Sequence, residues 1–133
     1  MTDSVRHNIE LVNAAYTAFG AGDVEAFRSL YADDVVHTLP GTSRVSGAHR
    51  GLPAVLDFYG RLAELSAGTV SVEPETFFSD GDDRILAIHH TTATRDGRQL
   101  DIREGIVITI SNGKITALDG FQADLDEYEA FWR

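Results

Sequence analysis

A chain of 133 residues, 43% hydrophobic and 24% charged, is sized for a single packed domain spanning 1–133 and is too apolar to be disordered. Its formal net charge of -10 opposes binding to nucleic acid or an anionic membrane surface. The lack of cysteine excludes disulfides, thiolate nucleophiles and cysteine zinc sites. The opening "MTDSVRHNIE" has no apolar signal-peptide core, and no stretch approaches the length of a membrane span. The expected location is therefore cytoplasmic.

From Ser4 to Phe19, the residues Val5, Ile9, Val12, Tyr16 and Phe19 recur at three- and four-residue steps. That spacing predicts a helix with one apolar stripe, capped by Ser4 and ended by Gly20 and Gly22. Asp23 is placed to cap a second, short helix carrying Val24, Phe27, Leu30 and Tyr31, which "ADD" closes. A strand over Val35–Leu39 follows and stops at Pro40. Thr42 to Arg50 reads as a polar loop. In "GLPAVLDFYGRLAEL" the residues Leu52, Val55, Phe58, Tyr59, Leu62 and Leu65 make the face of a third helix, with Pro53 at a tolerated early position.

After Gly68 the chain becomes rich in Val, Ile, Thr and Phe, in four runs separated by Asp80-Gly81, Asp96-Gly97 and Asn112-Gly113. Such dipeptides are the strongest short-range hairpin signals, so the runs predict a four-stranded antiparallel meander. "DLDEYEAFWR" reads as a short terminal helix or tail. Helices first and antiparallel strands after give an α+β domain. About three N-terminal helices must cover one face of a twisting, curling sheet, and they cannot fill it, so a pocket is expected. "IVITI" is apolar at nearly every position and suggests burial on both faces, which a homodimer through the outer sheet face would explain.

This order, with the stretches "AAYTAFGAGDVEAFRSLYADDVVHTLPG", "RGLPAVLDFYGRLAEL", "TATRDGRQLD" and "ISNGKI", resembles the SnoaL-like branch of the nuclear transport factor 2-like superfamily. The resemblance implies a cone of curved sheet whose wide end is closed by helices. It leaves the chemistry open, because the superfamily includes ketosteroid isomerases, polyketide cyclases, epoxide hydrolases, dehydratases and binding proteins. The positions where ketosteroid isomerases keep their base, oxyanion tyrosine and second acid fall at Leu39, Ala15 (with Tyr16 one step off) and Ile106. These are apolar, which argues against that reaction. The strand matching the arginine and aspartate of limonene epoxide hydrolases reads "AIHHTTATR", and their last aspartate falls near Gly120. Polyketide cyclases need one carboxylate near the end of the last strand. Asp119 is the candidate, facing inward only if a bulge at Gly120 reverses the alternation.

His37 shares parity with Val35 and Leu39, and by the resemblance that parity faces the pocket. A neutral histidine there can take or give a proton near pH 7. The alternative is a buried histidine bonded to a backbone carbonyl or a tyrosine. His89 and His90 are adjacent and must point to opposite faces. Glu104 shares parity with Leu100, Ile102, Ile106, Ile108 and Ile110; either that row faces inward, or Asp101 and Arg103 do. His37, His89, His90, Glu104 and Asp119 are the candidate proton carriers. Tyr16, Leu39, Phe58, Tyr59, Ile106 and Phe121 are the candidate ligand contacts. Tyr16, Tyr31 and Tyr59 bring hydroxyls to apolar helix faces, and Tyr128, Phe131 and Trp132 read as packing, as a flap over the mouth or as a dimer contact. No HxH or HxxxH spacing supports a metal made from His37, His89 or His90 with Glu104, and no phosphate-binding glycine loop or GxSxG elbow occurs. The expected function is cofactor-independent, metal-free acid/base chemistry, such as cyclisation, isomerisation or dehydration, on a small, largely apolar carbonyl compound. A non-catalytic dimeric protein that binds a small ligand or a partner is the alternative.

Overall fold

In the computed structural model, which describes residues 2–133, the first apolar stripe winds into α1 (Asp3–Ala21). Its cap is Thr2, whose hydroxyl accepts from the Val5 N–H at 3.2 Å; Ser4 lies inside the helix. Gly22 ends it in the left-handed conformation, at φ 62°. Asp23 caps α2 (Val24–Leu30) through the Ala26 N–H. The chain then turns straight into β1 (Tyr31–Leu39), so "ADD" belongs to the strand rather than to the helix end. The polar segment read as a loop contains β2 (Gly47–Arg50). It pairs antiparallel with β1, placing His49 beside His37. Next comes α3 (Leu52–Leu65). The meander is β3 (Ser71–Ser79), β4 (Arg84–Arg95), β5 (Arg98–Ser111) and β6 (Lys114–Gln122), and α4 (Leu125–Trp132) completes the chain.

The turn chemistry explains the hairpins. Asp96-Gly97 and Asn112-Gly113 all take positive φ, as the tightest turn between twisted strands requires. At Asp80-Gly81 only the glycine does, and the connection widens to Asp80–Asp83, with Asp80 accepting from the backbone of Asp82 and Arg84.

The sheet order is β2-β1-β6-β5-β4-β3. All neighbours are antiparallel except β1 and β6, which run parallel with His37 beside Leu118 and Thr38 beside Asp119. The result is an α+β cone with a mixed, open sheet of six strands and four helices, one more than the three N-terminal ones expected to cover it.

One buried cluster joins Val12, Val35, Val55, Ile85, Ile108 and Ile115 between the helices and the sheet. A second gathers Leu39, Val45, Phe58, Leu100, Tyr128, Phe131 and Trp132 around α4. Two arginines tie α4 down: Arg98 donates to the Ala130 carbonyl and Arg95 to the Arg133 carbonyl. At the other side of the helix, Glu129 accepts from the Thr42 and Ser43 N–H groups. No helix among the described residues is long and apolar enough to cross a membrane.

Candidate functional site

Strand alternation decides which polar groups meet. On β1 the residues Val35, His37 and Leu39 are buried together. On β4 His89 and Thr91 face in. On β5 the apolar row of Ile102, Ile106, Ile108 and Ile110 faces in, and Glu104 goes with it. Of these, His37, Leu39, His89, Thr91, Glu104, Ile106 and Ile108 line a cavity of about 110 Å³, roomy enough for several water-sized groups. Tyr16, Phe58, Tyr59, Tyr128 and Trp132 of the helices complete its wall.

Five sequence candidates lie in this wall as polar groups: His37, His89, Glu104, Tyr16 and Tyr59. Leu39, Phe58 and Ile106 line it too. Three candidates do not. His90 points to the outer face, where it pairs with the exposed Asp101, because it neighbours the inward His89. Asp119 is exposed, since Leu118 and Gly120 take the inward parity and the irregularity of the β5/β6 ladder falls between Thr109 and Ile110 rather than at Gly120. Phe121 is 45% exposed on the outer face, where its ring covers Gly105, its partner across the ladder.

Two hydrogen-bonded chains run through the wall. In the first, Glu104 accepts from His89 Nε2 at 3.3 Å, from the Thr91 hydroxyl and from the Gln122 amide at 2.5 Å. Burial alone would push the Glu104 carboxyl up; the hydrogen bonds from His89, Thr91 and Gln122 outweigh it and hold the group below its ordinary range. A carboxylate only accepts, so the His89 Nε2 carries hydrogen, and in the neutral ring Nδ1 is an acceptor. To that neutral ring the Tyr16 hydroxyl, 2.6 Å away, donates at Nδ1. Burial, with Tyr31 and Glu104 adding to it, keeps Tyr16 protonated.

In the second chain, Tyr31 and Tyr59 share a hydrogen bond of 2.7 Å, and Tyr59 lies 2.8 Å from His37 Nδ1. Burial first, then His49 and His89, lower the His37 pKa to about 3, so the ring stays neutral at ordinary pH. The Phe58 ring is packed edge-on to His37, at 5.2 Å and 80°. On Phe58 in turn lies His49, stacked at 4.1 Å and 4°.

Thr91 and Gln122 escaped the sequence reading as partners of Glu104. Thr91 was findable, being two residues beyond His89 on the same strand face. Gln122 lies opposite Glu104 in the β5/β6 ladder, and its position depends on an irregularity no local signal announces. Among the described residues no three His, Asp or Glu gather as a metal would need.

The family model described as "SnoaL-like domain" matches residues 12–118. The chain is 35% identical over 132 residues, 99% of each chain, to the uncharacterized protein Rv0034 of Mycobacterium tuberculosis. The structure of Bal32a, from a soil-derived mobile gene cassette, is similar with a TM-score of 0.94 and 31% identity, covering 96% of this chain and 98% of that one. A nuclear transport factor 2-like protein of Burkholderia xenovorans shares the fold at TM-score 0.81 and 23% identity, over 95% and 96% of the two chains. Matched over most of its length, the chain belongs to the SnoaL-like family.

Proposed function

We propose that this protein, acting as one domain, performs cofactor-independent acid/base chemistry on a small, largely apolar carbonyl compound, of the kind that leads to cyclisation, isomerisation or dehydration. One observation carries the reading: a hydrogen-bonded Tyr16–His89–Glu104 chain lies in the wall of a cavity lined mostly by apolar and aromatic side chains. All three reactions share the removal of a proton from carbon beside a carbonyl. The proton passes to the Tyr16 oxygen as the Tyr16 hydrogen passes to His89 Nδ1. The imidazolium so formed lies against the Glu104 carboxylate, which stabilises it and fixes its tautomer.

A second reading, a binding protein for the same ligands, is favoured by the three donors already satisfying Glu104, because they leave the carboxylate less able to stabilise an imidazolium. The two readings separate in D2O with 2-tetralone as probe. Binding is read from the fluorescence of Trp132, the single tryptophan, which lines the cavity. Turnover is read as deuterium entering the positions beside the carbonyl. Exchange above the protein-free rate supports the enzyme; binding without exchange supports the carrier. A second copy on the outer sheet face, where Phe78 and Phe121 are exposed, is the proposed partner, and sedimentation as a monomer at micromolar concentration removes it.

A further inference from the structure

We propose that a one-way chain of hydroxyls, Tyr31 to Tyr59 to His37, holds His37 as the neutral Nε2–H tautomer, and that this N–H is offered to a carbonyl or enolate oxygen of the bound molecule. The ligand half of this proposal rests on the acid/base reading; the tautomer does not.

The direction of the chain follows from hydrogen counting. Tyr31 is 3% exposed, and Tyr59 is the only partner of its hydroxyl among the described residues. Were Tyr59 to donate to Tyr31, the Tyr31 hydrogen would be left without an acceptor among the described residues, which buried hydroxyls avoid. Tyr31 therefore donates to Tyr59. The Tyr59 hydrogen is then free for its other neighbour, His37 Nδ1, and Nδ1 must be bare to receive it. In a neutral ring the remaining hydrogen sits on Nε2.

The place of that hydrogen matters. His37 Nε2 has no partner among the described residues. It is also absent from the buried unpartnered side-chain atoms, which are Arg95 Nε, Gln122 Oε1 and Trp132 Nε1. In a residue of the cavity wall, Nε2 thus borders open volume. The ring cannot swing freely, because Phe58 and Tyr59 pack edge-on to it, at 5.2 and 5.5 Å.

The groups that act on its charge are His49 of β2 and His89 of β4, and its hydroxyl neighbours are Tyr59 of α3 and Tyr31 of its own strand. The carboxylate of the same cavity wall, Glu104 of β5, is taken up by His89, Thr91 and Gln122 rather than by His37. A fixed neutral N–H strengthens its hydrogen bond as a carbonyl oxygen gains charge, without giving its proton away. It offers nothing to a ligand group that must donate. The site is thereby selective for oxygen acceptors at this point.

The test is long-range 1H–15N correlation on histidine-labelled protein, with the His37 signals identified by their loss in His37→Asn. The expected pattern is a protonated Nε2 and a bare Nδ1, unchanged between about pH 5 and 8. In Tyr59→Phe the pattern becomes a mixture of tautomers, and 2-tetralone binds about threefold to tenfold more weakly. In the unmodified protein, saturating 2-tetralone moves the Nε2 proton downfield, and its hydrocarbon counterpart tetralin does not. A protonated Nδ1, a ring that titrates in that range, or a tautomer unchanged in both Tyr59→Phe and Tyr31→Phe overturns the hydroxyl chain. A tetralone that fails to bind, or leaves the Nε2 proton unmoved, overturns the ligand half. Absence of deuterium exchange with the tautomer in place counts against the acid/base reading alone.

Discussion

The two polar chains in the cavity wall solve the same problem differently. The one built on β4, β5 and α1 holds a carboxylate; the one built on β1 and α3 holds no charge at all. Glu104 survives burial because three donors converge on it, so its environment is defined by what surrounds an anion. His37 is neutral because burial makes it so, and its environment is defined by the direction of two hydroxyls. A buried charge must be matched in number of partners, whereas a buried neutral ring must be matched in their orientation. The first arrangement suits proton transfer and the second suits holding an oxygen still.

Removing the anchor of each chain should expose that contrast. Glu104→Ala leaves His89 Nε2, the Thr91 hydroxyl and the Gln122 amide facing one another without an acceptor. An expected loss of about 3 kcal/mol or more in urea unfolding follows. Tyr59→Phe deprives only the Tyr31 hydroxyl and His37 Nδ1 of a partner, and about 2 kcal/mol is expected. Equal losses in the two variants would erase the distinction.

Acid should separate the chains along the pH axis. The folded His37 pKa, about 3 against an ordinary 6.5, means the unfolded chain takes up a proton that the folded one refuses. The His37 contribution is full above about 6.5 and falls as pH drops towards 3. Glu104, held below its ordinary 4.5, keeps its contribution above that value and loses it only as pH falls through the folded pKa. Stability measured against pH should therefore decline first on account of the neutral chain, and His37→Leu should flatten that first stage while leaving the second. The smallest effect belongs outside the cavity. His90→Ala breaks only an exposed pair with Asp101, and a change within about 0.5 kcal/mol is expected.

The helices and hairpins were legible because their causes are local: the stripe of α1, the cap at Asp23, and glycine-containing turns after Asp96 and Asn112. The inward parity of His37 and Leu39 was legible for the same reason, once the resemblance said which side of β1 is inside. What was hidden depends on distant partners. No periodicity in "GAHR" reveals β2, which exists as an edge paired to β1. The parallel pairing of β1 with β6 joins segments far apart in the chain. In the sequence the facing of Glu104 is ambiguous, because Asp101 and Arg103 form a rival polar row on the same strand. The ladder settled it by burying Ile102 and Ile106 on the Glu104 side. The hydroxyl direction in Tyr31–Tyr59–His37 needed all three groups in place before it had meaning.

The claim that the charged chain is the base is tested most directly by comparing deuterium exchange into 2-tetralone for Glu104→Gln and for the unmodified protein, both shown to be folded and to bind the probe. The expected result is a fall of about 100-fold or more in Glu104→Gln, with Asp119→Asn unchanged. Exchange that persists at full rate in Glu104→Gln would contradict it.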